Sequence, residues 1–554
     1  VIDDTLTSSL LKTWSIDKLL ATFVVDVGDD FSEMPVGIID PVSLGLTYSN
    51  AFDVKFYSDG KIVHPLKKVD ASFRTEWQEG GVTYLDHLTG DKYKSVSVVK
   101  KHDPTIGVAI NSYYQNYNSG VNTLVNSQGL SEGLPFKTMK FAMDTAIAQA
   151  QVDDRPFVVY LLDEMIGLNG ATGSSWRNIP DGVKGKIVGA SSTGKKTRFV
   201  SQREYYDDSL FDWQDAGQGV WKCETTNINE ASKNSAIYFD LLNRDIDGAP
   251  TPLKYVEPLA TEALTLAAVQ EISDSFSTFL NGSVTTLFIH FSDKRVPTVS
   301  SWCLAESAGQ MTFFIGEGSV MYLENIERIY APKVASQAAI YVKPLNVPGT
   351  YRSYTGQFWM YNCGIYGSSG EALRICDMQY AGVAYFVAKY NRKDGENYHS
   401  FNTASMTPST KGDYMRMWSN HSVIEHIGEN FFAGQPALTD SNQISSCHDN
   451  AEITRLNMRG GFTQGAVIAD VLGAKSLNIN CYPYAPVLNT GLVSPKSCFW
   501  ADGVGTKVDL IYCKGTNYRT GTIFYASNSG IINHHNQIGF KISEQFTNAQ
   551  ITKV

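Results

Sequence analysis

The sequence holds eight cysteines, at positions 223, 303, 363, 376, 447, 481, 498 and 513, yet no two of them stand at CxxC spacing. That absence excludes zinc ribbons and knuckles and thioredoxin-like redox pairs. Several of the cysteines sit within apolar stretches such as "WMYNCGIY" and "LRICDM". We expect them to be reduced and buried, in a chain made in a reducing cytoplasm. No apolar run approaches the roughly 18 residues of a membrane-spanning helix, and no secretory leader pattern opens the chain, so membrane insertion is not expected. GxSxG, GxGxxG and GxxxxGK[ST] are all missing; "SSTGKKT" at 191–197 lacks the earlier loop glycine of a phosphate loop. Charge is scarce as well. Only 18% of residues are charged and the net charge is −10, which argues against a nucleic-acid or anionic-membrane partner. An acidic polymer would need local basic residues to offset that field.

What is abundant is aromatic and turn-forming: 12% of residues are aromatic, with 29 Tyr and 46 Gly in 554 residues. This composition suits extended structure with many turns. Two helical signals interrupt it. Ile16, Leu19, Leu20 and Phe23 follow an i, i+3, i+4, i+7 pattern near the start. After Gly133-Leu134-Pro135, the residues Met139, Ala142, Met143, Ala146, Ile147 and Ala150 form the apolar face of a second helix. A third helical piece is expected near 257–280. From "FVVYLL" (157–162) onward, short apolar or alternating runs follow one another, often every 15 to 25 residues or so, with Gly, Asn or Ser at the breaks. Two-residue hairpin turns of the Asn-Gly type are scarce, which disfavours a sandwich or an antiparallel barrel. Strand and kink in alternation suit a parallel solenoid, whose coils stack small apolar residues inward. The expected organisation is a neck or linker helix at 1–23, a small β-rich domain at 24–115 and a capping segment with its helix at 116–155. An all-β parallel β-helix at 156–530 and end coils at 531–554 complete it.

Four stretches carry a resemblance. "IDDTLTSSLLKTWSIDKLL" resembles the neck of bacteriophage tail proteins, and "EGLPFKTMKFAMDTA" resembles the helix that caps tailspike β-helices. "YNRKDGENYHSF" resembles a DGFNYH loop of capsule-degrading tailspikes, with Glu396 where Phe is usual. "SSCHDNAEITRLNMRGGFTQGAVIADVLGAKSLNINCY" resembles the coils that follow that loop, with Asn450 where Gly is usual. Together these are spread along most of the chain. The resemblance implies a homotrimer of right-handed, pectate-lyase-like β-helices on a phage virion. It would be joined to a tail or baseplate protein through its N-terminus and would cleave a bacterial surface polysaccharide, capsular or O-antigen, at the cell surface.

Glycosidic hydrolysis needs two carboxyl groups flanking the bond, one to protonate the leaving oxygen and one to activate water or attack. Elimination beside a uronic acid needs a base such as His, Lys or Tyr. In stacked coils, residues far apart in number become neighbours, so Asp377, Asp394 and Asp449 could line one face. Asp394 and Asp449 are the preferred acid/base pair, Asp377 and Glu396 the alternates, and His399 and His448 would orient them. Each has an ordinary use too: Asp394 before Gly395 suits a turn, and His448-Asp449 suits a bond between coils. Trp359, Tyr385 and Tyr398 offer faces for sugar rings; Arg392 and Arg416, with Arg374 and Lys393, could hold an acidic sugar. No metal or cofactor is expected. The adjacent His534 and His535 point to opposite faces if they lie on a strand. Asp163, Glu164, Glu324, Glu327, Asp502 and Asp509 read as strand-end or outer-face acids. Rival readings are a lyase with His399 or Tyr398 as base, a non-catalytic glycan-binding adhesin and, third, an esterase.

Overall fold

The computed structural model describes residues 99–553 apart from 168–175, 201–210, 226–236, 306–310, 330–337, 346–354, 392–394, 400–414, 427–442, 485–496, 516–521, 536–542 and some shorter stretches. It also describes strand pieces at Gln78–Glu79 and Val82–Thr83. The expected neck and most of the expected N-terminal domain therefore lie outside the described residues.

The backbone winds through three long parallel sheets of twelve, ten and eight strands, forming a parallel β-helix. One coil illustrates the path. Glu371–Cys376 belongs to the ten-stranded sheet, Tyr380–Ala384 to the twelve-stranded sheet and Val387–Asn391 to the eight-stranded sheet. The next coil repeats the order with Glu396–His399, Met415–Asn420 and Val423–His426. These last two strands stay in step with their counterparts in the preceding coil. The solenoid also starts earlier than expected: Asn111–Gln115 pairs in parallel with Phe157–Leu161. Its twelve-stranded sheet runs on to Gln550–Lys553.

The helix Met139–Asp153 caps the stack. Thr138 is its N-cap, its hydroxyl accepting from the Phe141 N–H, and the six residues anticipated as its apolar face are the six it buries. They join one continuous core with the inward rows of all three sheets. All seven cysteines whose side chains are described are free and buried, five of them within that core.

Each coil bends at left-handed residues. Between the twelve- and eight-stranded sheets these are Asn325, Asn362, Tyr385, His421 and Asn457, with φ from 52° to 57°. Asn is among the few residues that tolerate this conformation. Each of these residues donates its backbone N–H to a carbonyl of the following coil, as from His421 to Leu456 at 2.8 Å. Asn362 adds a side-chain bond to Asn325 (2.7 Å), and Asn457 Nδ2 lies 3.2 Å from His421 Nε2. The second bond requires an unprotonated Nε2.

One element was not anticipated. Between the coil strands Thr197–Val200 and Met311–Ile315 the chain leaves the solenoid and builds a five-stranded and a three-stranded sheet, mostly antiparallel, with the helix Glu262–Gln270. Phe211, Tyr238, Phe276, Leu287 and Trp302 form its own core. Met311–Ile315 then pairs directly with Trp176–Ile179, so the insertion leaves no break in the stack. Lys389, on the outer face of the eight-stranded sheet, holds Asp245 and Asp247 of the insertion at 2.7 Å each and Glu425 of the next coil at 2.9 Å. Arg244 of the insertion pairs with Glu327 of the solenoid at 2.6 Å.

The lumen is not wholly apolar. Arg455 and Asp470, neither exposed to solvent, form a two-pronged ion pair at 2.9 and 3.1 Å. Ser445, Ser476 and Asn478 complete their hydrogen bonds. Removing one partner of such a pair leaves an uncompensated buried charge. Asp470→Asn is accordingly expected to cost about 3–5 kcal/mol; an unfolding midpoint close to the parent's would contradict this.

Burial pushes the His421 imidazole down to about 4 from its ordinary 6.5. Between those values the unfolded chain binds more protons, so this residue's contribution to stability is lost as pH falls from 6.5 towards 4. His421→Asn, which extends the asparagine ladder, should remove that part of the acid sensitivity and leave neutral-pH stability near the parent's. Melting curves of both proteins across this window test it; parallel curves would refute the assignment.

Candidate functional site

The bend between the ten- and twelve-stranded sheets also uses left-handed residues: Asp377 (φ 51°), Asp449 (φ 60°), Leu472 (φ 61°) and Gly503 (φ 96°). Asp449 donates its backbone N–H to Val471, Leu472 to Asp502 and Gly503 to Ser527. The four residues occupy equivalent places. Leucine and glycine fill the bend in later coils, so the turn itself does not require an acid at 377 or 449.

The ladder fixes how far apart the two acids stand. Cys376 is in register with His399, and His399 with His448. Asp377 and Asp449 follow the first and last of these, two coils apart, or about 9.6 Å at the usual strand spacing of about 4.8 Å. Both are half-buried. On the outer face beside them, Arg374 lies 3.5 Å from Glu371, Asn397 donates to Glu371 at 3.0 Å, and Ser446 donates to Asn397 at 2.9 Å. His448 continues this face. Burial and the Arg374 guanidinium hold its pKa down, at about 4, against the opposite pull of Asp470. The ring is neutral at physiological pH and is suited to hydrogen bonding rather than to carrying charge. On the twelve-stranded side, Arg416, second in its strand, stands opposite Tyr380 and Glu452, with Nε 3.7 Å from the Glu452 carboxylate. It flanks the acidic bend.

Other expected site residues lie elsewhere. Glu396 is fully buried and faces the lumen, accepting from Ser445 (2.7 Å), Ser419 (3.0 Å) and Tyr398 (3.0 Å). Burial raises its pKa, with Arg455 opposing. Tyr398 shares that inward parity and is also fully buried, so its hydroxyl cannot reach a polymer outside. Both assignments are corrected: these residues tie the interior together. Trp359 faces outward but is covered. Residues near 100 lie over it, with His102 stacked on its indole (4.1 Å, 11°), Lys100 over Tyr361 (4.6 Å) and Asp103 paired with Lys186 (2.5 Å). Tyr385 occupies the other bend, a full strand away from the acids, packed edge-on to Tyr361. Arg392, Asp394 and the side chain of His399 lie outside the described residues. Gly395 and Glu396, however, stand at the entry end of their strand, whereas Asp377 and Asp449 stand at the exit end of theirs. Asp377 and Asp449 thus follow positions of one row, two coils apart.

Sequence reasoning did not single out Glu371, Asn397 or Ser446; for Asn397 and Ser446 the signal is the row they share with Arg374 and the parity they share with His448. Among the described residues, no cluster of three or more His, Cys, Asp or Glu side chains could hold a metal ion.

No family model matches the chain, and no curated protein matches it. Two solved structures are similar in fold. One, titled "The complex structure of XylC with xylose", shares 10% identity over 76% of this chain and 70% of that chain, with a TM-score of 0.39. The other, titled "Glycoside hydrolase", shares 7% identity over 79% of this chain and 96% of that chain, with a TM-score of 0.42.

A neutral His448 has a direct consequence. Its ring resonances, assigned by comparison with His448→Gln, should titrate near pH 4; a midpoint near the ordinary 6.5 would show that burial does not control it.

Proposed function

We propose that this chain is a phage tailspike-type depolymerase that hydrolyses glycosidic bonds of a bacterial surface polysaccharide, with Asp377 and Asp449 as its two carboxyl groups. The observation that carries this reading is the pair of acids in equivalent bends two coils apart, where Leu472 and Gly503 show that the fold does not demand them. The sequence resemblance to capsule-degrading tailspikes supports the biological setting: a homotrimer of right-handed coils, joined to the virion through its N-terminus.

In this reading one aspartate, protonated, delivers its proton to the glycosidic oxygen. The other, ionised, removes a proton from water as that water attacks the anomeric carbon from the opposite face. A separation near 9 Å leaves room for the water between base and sugar, which is the arrangement of inverting enzymes; retaining enzymes hold their carboxyls about 5–5.5 Å apart. His448, neutral, orients a sugar hydroxyl or the Asp449 carboxyl. Arg416 and the outer-face polar groups bind the chain on either side.

Incubation with the host polysaccharide should release reducing ends without the ultraviolet absorbance of an unsaturated uronate. Early product should carry the anomeric configuration opposite to the substrate's. Asp377→Asn and Asp449→Asn should each lower the rate by at least about a hundredfold with unchanged melting, since Asn suits a left-handed bend. Wild-type rates in both variants would defeat the assignment. Absorbance rising with reducing ends would mean a lyase, and neither signal would mean binding alone.

A further inference from the structure

The outer face of the ten-stranded sheet carries a second feature, one coil to the N-terminal side of Asp377. Lys343 neighbours Phe314 across the ladder, and Tyr341 neighbours Arg374. The Lys343 ammonium lies 4.7 Å from the centre of the Phe314 ring and 5.5 Å from that of Tyr341. The Arg374 guanidinium stands 5.7 Å from the Tyr341 ring. Arg374 is partly neutralised by Glu371 at 3.5 Å. Among the described residues, no carboxylate lies within ion-pair distance of Lys343. All four side chains are half-buried.

Contact with ring faces stabilises a half-desolvated ammonium, but it leaves the positive charge uncompensated. A cation held between two aromatic faces suits a ligand with an apolar ring surface and a negative group on the same ring. In a chain with net charge −10, an anionic polymer meets general repulsion, so a local cation of this kind decides where its charge can rest. Arg374 stands three positions before Asp377, and the register that pairs Tyr341 with Arg374 and Val342 with Ile375 carries Lys343 opposite Cys376, one strand spacing of about 4.8 Å from the residue that precedes the acid.

We propose that Lys343, seated between Phe314 and Tyr341, binds the carboxylate of a uronic-acid residue adjoining the cleaved bond, with Arg374 as its flank. The inference rests on the proposed function for its placement next to a cleaved bond, while the binding can be measured without turnover. It names the substrate class as an acidic polysaccharide.

Saturation-transfer NMR on the full chain, with methyl β-glucuronide as probe, tests the binding. Methyl β-glucoside and sodium acetate are the controls. The glucuronide should bind about tenfold more tightly than the glucoside. Lys343→Ala should reduce glucuronide binding to the level of the glucoside, and Lys343→Arg should restore most of it, with melting unchanged in both. Equal binding of the two glycosides, or glucuronide binding indifferent to Lys343→Ala, would overturn the proposal. Acetate displacing the glucuronide at equal concentration would also overturn it, because that would mean a simple anion site without sugar recognition. The Asp377→Asn/Asp449→Asn protein separates the two claims. Glucuronide binding kept in a chain whose parent cleaves no polysaccharide would sink the hydrolase reading and leave the cradle standing.

Discussion

The in-register parallel ladder is the constraint on which the rest of this molecule depends. Each strand pairs with its counterpart one coil away, so a position along a strand becomes a row running down the solenoid. The row is straight because the bends recur at the same left-handed residues and donate their N–H groups to the next coil. A lattice this regular converts sequence offsets into distances. Asp377 and Asp449 are 72 positions apart in number and two strand spacings apart in space. The same lattice divides residues without compromise between lumen and outside, because a shift of one position moves a side chain through the wall.

That division explains what sequence reasoning could and could not reach. The capping helix was legible to the residue, since its 3.6-residue period is carried by Met139, Ala142, Met143, Ala146, Ile147 and Ala150 within one short segment. The solenoid was legible from the rhythm of strand and break. Parity was not. "GENYH" alternates Glu396 and Tyr398 with Asn397 and His399, and the sequence gives no local sign of which pair points in. The polar-looking Glu396 is the inward one because its partners are inward as well: Ser419, Ser445 and Arg455 belong to three further strands. A buried carboxylate supported by hydroxyls and a nearby guanidinium violates the usual apolar-inside pattern, and only the assembled network makes it tolerable. The insertion was hidden for a related reason. Runs such as "TTLFIHF" read alike as coil strands and as antiparallel strands, because short apolar runs do not encode the direction of their partners.

The covered Trp359 teaches a different lesson. Its row, with Tyr322 and Trp418, makes an aromatic strip on the outside of the twelve-stranded sheet, the kind of surface that sequence reasoning associates with sugars. Gly382 lies between the two tryptophans, and a side chain there would meet the Trp359 ring and the Trp418 carbonyl at 2.9 Å. The glycine lets the two indoles stack at 5.6 Å. His102 and Val99 then close over them. The strip is used, but by the chain itself, as a seat for the segment that leads into the solenoid. A stretch as short as this carries no signal that it will spend its side chains this way.

Two of the three outer faces are therefore engaged by the protein's own elements. Residues near 100 cover part of the twelve-stranded face, and Asp245, Asp247 and Arg244 of the insertion are fixed to the eight-stranded face through Lys389 and Glu327. These contacts are charge-complementary: the cations and acids of each face are largely matched by those of the element lying on it. The ten-stranded face differs in kind. Its Glu371, Asn397 and Ser446 are bonded among themselves, while Lys343 faces aromatic rings with no acid at ion-pair distance among the described residues. Among the described residues that cation has no acid at ion-pair distance, and a ligand bearing one negative charge is what would complete it. On this argument the proposed site belongs on the ten-stranded face, where the described residues leave Lys343 without an acid.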